Sequence, residues 1–389
     1  MDRPLGPLYA AGFVTAFGAH SIAASLGGYT EGEHASLLTL GILLALYDGA
    51  EVVLKPVFGA LADRIGPRPV LFGGLVAFAA ASGAFVLAGD PALVGVVRLG
   101  QGAAAAAFSP AAGALVARVS PQRRHGRAFG GYGAWKGLGY TLGPVLGGAL
   151  ITLGGYSLLF TTLAVLALLV VAWAALAVPS VPPLPRARQT VLDLARRLTQ
   201  AGFLRPVAVL AGTTAALAVG VGFLPVVGAN AGLGPLATGA AVSLLAACAA
   251  LVQPFAGRAR DAERLPERTG MAGGLLLAAA GMALATVLPG LAAILVAAVA
   301  IGVGTGVATP LAFAQLSASA PPERLGQTMG AAEVGRELGD AGGPLLVGAI
   351  ASAAVLGAGF GALAAVLAAA ALAVTGRRPA RPDRPPSRA

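Results

Sequence analysis

Nine ionisable residues stand inside stretches of this sequence that are otherwise apolar: Asp48, Glu51, Lys55, Arg98, Lys136, Glu333, Arg336, Glu337 and Asp340. A charge at hydrocarbon depth is costly, and it persists where it pairs, binds protons or meets a solute. Asp48, Glu51 and Lys55 follow i, i+3, i+7 spacing, which places them on one helical face. Glu333, Arg336, Glu337 and Asp340 follow i, i+3, i+4, i+7 and do the same. Burial and a neighbouring base act in opposite directions on a carboxyl's proton, and reversible proton binding needs that balance. Asp48 has no partner on its own helix and is a proton-coupling candidate. Glu51 and Lys55 form either part of that machinery or a structural ion pair bracing a gate. Arg336 and Asp340 can pair locally, whereas Glu333 and Glu337 need another helix or a proton. Glu333 suits a gate brace, and the deeper Asp340 suits coupling. Arg98, always charged, needs Asp48, Glu51 or a solute anion. The chain has only two lysines, Lys55 and Lys136, and both belong to this set. His20 relays protons or merely packs. Tyr47, Gln101, Phe108, Tyr132 and Trp135 line a solute cavity or fill helix contacts.

The elements that must position these charges are membrane spans. Of 389 residues, 57% are hydrophobic and 11% charged, with a mean hydropathy of +0.82. That is too little charge to cover a water-facing surface. Apolar runs of about 20 residues, each enough to cross a bilayer, are expected over 8–29, 37–61, 69–88, 92–118, 126–152, 156–178, 205–228, 235–257, 270–288, 291–317, 326–352 and 356–376. The first run lacks a small-residue cleavage site and leads directly into the second, so it reads as a span rather than a removable leader.

The net charge of +10 is a topology signal, not a nucleic-acid footprint. All 26 bases except Lys55, Arg98, Lys136 and Arg336 fall at the termini or in alternate loops, while the other loops hold Glu31, Glu33 and Asp90. The positive-inside rule then puts both termini in the cytoplasm and the protein in the cell membrane. Cys248, alone, forms no intrachain disulfide. The three histidines and single cysteine make no ligand set, and no nucleophile elbow or phosphate loop occurs. Neither a catalytic residue, a cofactor nor a metal is expected; the chain reads as no enzyme.

The chain repeats itself. At a shift of 200, Gly102, Pro110, Pro121, Arg124, Gly126, Gly130, Gly139, Gly143, Pro144 and Gly148 meet identical residues, and Lys136 meets Arg336. At 198, Pro56, Gly59 and Asp63 meet Pro254, Gly257 and Asp261. Six spans separate the copies, so they run parallel, an arrangement that in transporters puts the solute site between the halves near mid-membrane. The expected organisation is a six-helix bundle at 1–178, a cytoplasmic linker at 179–205, a second bundle at 206–376 and a disordered tail at 377–389. Apolar and basic residues alternate at helical spacing over 190–198, which suits a short surface helix.

Three motifs resemble those of the major facilitator superfamily. Gly59, Asp63, Arg64, Gly66 and Arg68 are similar to its loop signature between spans 2 and 3. Arg98 to Gly102 resembles its intramembrane arginine motif. Gly139, Gly143, Pro144, Gly147 and Gly148 resemble the signature associated with antiporters. The resemblance implies an all-α protein of twelve transmembrane helices in two pseudo-symmetric bundles. It also implies that spans 3, 6, 9 and 12, which hold no charge, face lipid. The antiporter-like motif favours proton-coupled export of a small solute. The partners expected are that solute, protons and the bilayer, with the chain acting as a monomer. Two other readings stay open. In one, Arg98, Lys136 and Arg336 bind an organic anion; in the other, the fold serves as a non-transporting sensor.

Overall fold

The computed structural model describes residues 4–31, 37–88, 90–183, 199–233, 235–287 and 290–376. The segment 190–198 and the tail 377–389 lie outside them. The described residues form twelve long helices. The first half holds α1 (Leu5–Glu31), α2 (Leu37–Ile65), α3 (Pro67–Ala84), α4 (Pro91–Val119), α5 (125–153) and α6 (156–177). The second holds α7 (Ala201–Asn230), α8 (Pro235–Asp261), α9 (Glu267–Val287), α10 (Leu291–Ser319), α11 (Leu325–Ala353) and α12 (Leu356–Thr375). Eight helical stretches are apolar and long enough to cross a membrane, the longest containing both α5 and α6. Helix α11 is not among them, because four charges fall within eight of its residues.

Local chemistry sets the breaks. Gly66 separates α2 from α3 at φ 98°, a left-handed backbone that a side chain disfavours, and Pro67 then opens α3 with its preset φ. Asp90 caps α4, its side chain accepting from the Leu93 N–H at 2.9 Å. Gly155, at φ 71°, turns the chain between α5 and α6.

Small residues draw the helices together, as lipid-embedded packing requires. Within the first half, Gly139, Gly143 and Gly147 press α5 against Phe13, Phe17 and Ser21 of α1, and Ser21 Oγ donates to the Gly143 carbonyl at 2.8 Å. The second half repeats the contact. Gly339 and Gly343 press α11 against Ala211 and Ala215 of α7, and Thr214 Oγ1 donates to the Arg336 carbonyl at 2.8 Å. Apolar side chains such as Leu169 and Leu176 of α6 and Val366 and Leu372 of α12 remain exposed, a surface fit for lipid.

Candidate functional site

Two seams join the halves. In one, α2 meets α11, with Gly59 against the Gly326 carbonyl and Gly330 so close that a methyl there would lie 2.6 Å from the Lys55 carbonyl oxygen. In the other, α5 meets α8, with Gly126 and Gly257 back to back and Gly130 against the Gln253 carbonyl. These glycines are the repeat partners of one another. Each seam is tied at its arginine-rich end by an aspartate. Asp63 accepts from the Gly326 and Gln327 N–H groups at 2.7 and 2.8 Å, and Asp261 accepts from Gly126 and Arg127 at 2.9 and 2.7 Å. Between the seams, Phe129 stacks on Phe313 at 5.6 Å, and His125 Nδ1 lies 2.8 Å from Ser317 Oγ.

The contact stops about midway along the helices. On the seam face of α5, Gly137 still meets Ala250 at 3.3 Å, but a side chain at Gly148, three turns on, would meet nothing within 4 Å. Gly49 on α2 and Gly239 on α8 open in the same way towards the end remote from the arginines. The halves therefore close on one side and part on the other, leaving a cleft.

The charges sit at the floor of this cleft. Lys55, 1% exposed, spans the α2–α11 seam: its Nζ lies 2.7 Å from Glu51, 2.5 Å from Glu337 and 3.8 Å from Glu333. Glu333 is the hub. It also lies 3.7 Å from Lys136 Nζ of α5 and 3.2 Å from Arg336 Nη1 on its own helix. Buried ions are tolerated in such numbers only because each has opposite charges around it. Above them, Asp48 and Asp340 are exposed to the cleft. His20, also exposed, packs on Tyr140 with ring centres 4.3 Å apart, and Trp135 stands edge-on to Phe13 at 6.3 Å.

Several sequence expectations need correction. Arg98 pairs with neither Asp48 nor Glu51. It donates to Gln101 Oε1 at 2.8 Å and lies over the Tyr47 ring at 4.3 Å, so all three side chains fill the α2–α4 contact instead of a cavity wall. Arg336 turns back to Glu333, not forward to Asp340. Phe108 and Tyr132 are buried in helix contacts, Phe108 beside Gly74 of α3 and Tyr132 against Gly12 of α1. The antiporter-like motif divides by face: Gly139, Gly143 and Gly147 hold α1, while Pro144 and Gly148 point the other way and are exposed. In the loop motif, Arg68 donates to the Ala175 carbonyl at 2.8 Å, and Arg64 is exposed. Tyr140, Phe13, Asp261 and the His125–Ser317 contact were missed as site residues. Only Asp261 had a signal, its match to Asp63.

Two parallel six-helix bundles, glycine-sutured at one end, with an ion cluster between them and apolar flanks, have the architecture of a membrane transporter. The sequence profile of the Major Facilitator Superfamily matches in two stretches, residues 8–227 and 207–389. The chain belongs to that superfamily, and it is a transporter, not an enzyme. Among curated relatives, it is 37% identical over 110 residues to the class E tetracycline resistance protein of Escherichia coli, covering 28% of this chain and 26% of that protein. It is 29% identical over 109 residues to the quinolone resistance protein NorA of Staphylococcus aureus, covering 28% of each. These matches span only about a quarter of each relative's length. Among solved structures, the human organic anion transporter MFSD10 superposes with a TM-score of 0.81 at 18% identity, covering 96% of this chain and 99% of that one. The Escherichia coli fucose:proton symporter FucP gives 0.77 at 14% identity, covering 95% and 98%. At such identities the likeness concerns the fold alone.

Proposed function

We propose that this protein exports a small organic solute across the cell membrane in exchange for protons. One observation carries the reading: the nine buried or cleft-facing charges do not balance. Asp48, Glu51, Glu333, Glu337 and Asp340 supply five negative charges; Lys55, Arg98, Lys136 and Arg336 supply four positive ones. A single proton brings the set to neutrality, and a neutral set crosses between two closed states at less cost than a charged one. The two carboxylates with no base within 4 Å among the described residues, Asp48 and Asp340, are the exposed ones, open to the cleft where protons and solute arrive.

The arginine-rich end is read as cytoplasmic, with both termini there, so the cleft opens outward in this state. The halves then rock about the ion cluster to expose it inward. One chain supplies both halves and suffices alone. The efflux reading agrees with the partial likeness to the tetracycline and quinolone resistance proteins.

The organic-anion reading loses its simplest seat. Lys136 and Arg336, the repeat-matched bases, already face Glu333, which occupies the place a solute anion would take. What favours that reading is Arg98 Nε and Gln101 Nε2, two buried donors with no acceptor among the described residues. Proteoliposomes with an internal pH dye decide. Export predicts that adding solute on one side moves protons the opposite way; solute flux without any pH change would sink proton coupling. Stabilisation of purified protein by carboxylates, lost in Arg98→Gln, would favour the anion reading instead.

A further inference from the structure

At the arginine-rich end, a buried imidazole joins the two bundles and takes no part in the ion cluster. His125 opens α5, ahead of the apolar run over 126–152, and is 5% exposed. Within its own bundle, Nε2 lies 3.0 Å from the Ala117 carbonyl oxygen and 3.2 Å from that of Ser120. Two acceptors there place a hydrogen on Nε2, so Nδ1 of the neutral ring is an acceptor. Across the seam, 2.8 Å from Nδ1, stands the Ser317 hydroxyl of α10.

Hydrogen bonding alone permits either protonation state. Ser317 donates to a neutral Nδ1; an imidazolium donates to Ser317 Oγ, whose own hydrogen then turns to the Ala314 carbonyl at 2.9 Å. Charge separates the two forms. With the seam shut, burial disfavours the imidazolium, and the Ala117 and Ser120 carbonyls do not offset it. The charged groups facing the ring come from α8: Arg260 opposes a second positive charge, and Asp261 favours one. Asp261, however, already accepts from the Gly126 and Arg127 N–H groups and from Arg260. The other neighbours are uncharged: carbonyls from α4 and the turn after it, the Ser317 hydroxyl from α10, and the Phe129 ring, edge-on at 6.1 Å. The repeat provides a control. At the opposite seam His125 and Ser317 correspond to Leu325 and Ala117, so a closed seam does not itself require a polar pair here.

We propose that His125 senses pH on the arginine-rich side: its neutral ring, bonded to Ser317, helps hold the bundles shut, and acid on that side releases them. When the seam parts, Nε2 keeps the carbonyls of its own bundle while Nδ1 meets water, which hydrates an imidazolium. The proton thus binds the open state better than the shut one, and such a difference shifts the equilibrium. The sign follows from linkage. A base that protonates less readily in the shut state adds full closing energy above the ordinary histidine range. That energy is lost as pH falls through about 6.5. The inference rests on the halves parting at this end, and is independent of the solute carried and of proton coupling at Asp48 or Asp340.

The test uses the full chain in nanodiscs, with spin labels at cysteines introduced for Arg64 and Arg268 in a Cys248→Ala background. Distances are recorded from pH 8 to pH 5.5. The background also carries Asp48→Asn and Asp340→Asn, so that titration in the cleft does not enter. The expected result is a shut-to-open ratio that falls about fivefold or more on acidification, the usual lower size of a coupling between two sites. His125→Gln, neutral throughout, should remove that fall. His125→Leu, the residue of the opposite seam, should do the same and serves if the glutamine variant does not fold. A ratio that ignores pH, that rises on acidification, or that falls equally in parent and His125 variants overturns the proposal. A histidine-dependent fall upholds it even if proteoliposomes show solute moving without protons.

Discussion

Asp63 and Asp261, repeat partners at the ends of α2 and α8, each cap the first turn of a helix belonging to the opposite bundle. A carboxylate here meets two backbone N–H groups and the positive end of a helix dipole at once. Because each aspartate and the helix whose N–H groups it accepts from lie on different bundles, these bonds exist only while the arginine-rich end is shut. They are latches, not folding contacts.

Replacing either aspartate with asparagine keeps the shape and removes the charge. The closed state should lose about 1–2 kcal/mol per latch, roughly the upper range for a partly buried carboxylate at a helix terminus. Spin labels at cysteines introduced for Arg123 and Arg264, in a Cys248→Ala background, should report a growing population of longer distances in Asp63→Asn and Asp261→Asn, and more in the pair. Unchanged distances in all three would show that the latches carry no closing energy.

Lys55 is the only base in direct contact with Glu51 and Glu337 among the described residues. Lys55→Met strands both carboxylates at the seam, a change that costs about 3–5 kcal/mol when one partner of a buried pair is lost. The purified variant should melt well below the parent. Glu337→Gln should cost less, because Glu51 and Glu333 still face the lysine. An equal melting temperature for Lys55→Met and the parent would mean that the ammonium is hydrated, not buried.

How much of this was legible beforehand follows from what each signal depends on. Twelve spans and two bundles were readable because apolar length, charge alternation and a repeat shift of about 200 residues are properties of the chain alone. The nine charges were readable for the same reason: a buried ion is conspicuous in an apolar run. Their pairing was not. Whether Arg336 turns to Glu333 or to Asp340 depends on what α2 and α5 bring to that face, and spacing treats i−3 and i+4 alike. Arg98 was misassigned because the packing of α2 on α4 puts the Tyr47 ring beneath it, a tertiary fact. The antiporter-like glycines were seen as one motif, yet helical geometry splits them between the α1 contact and the cleft.

The seam glycines should separate closure from folding. Gly59 and Gly126 touch backbone of the opposite bundle, whereas Gly148 has open space in this state. Gly59→Val and Gly126→Val should fold, since their own bundles do not crowd those positions, but should fail to shut the arginine-rich end. The label distances would then sit at the open value whatever the pH. Gly148→Val should leave that end shut. Should Gly59→Val show the parent's short distances, the α2–α11 seam is looser than the contacts here require.

Asp48 and Asp340 provide the sharpest test of the transport reading. If a surplus negative charge forces the cluster to take a proton before the cleft can close over it, an asparagine at the titrating position imitates the protonated form permanently. That variant should still exchange solute for solute across a proteoliposome membrane, because the neutral cluster passes through both states. It should no longer drive solute uphill with a pH gradient, nor move protons when solute is added. Asp48→Asn and Asp340→Asn are each measured with the internal dye. The titrating residue is the one whose replacement uncouples the two flows, and the other should only weaken coupling by altering the field around it. If both single variants and the double variant still pump solute against its gradient at the parent's rate, neither carboxylate carries the proton, and the surplus charge of the cluster has no coupling role.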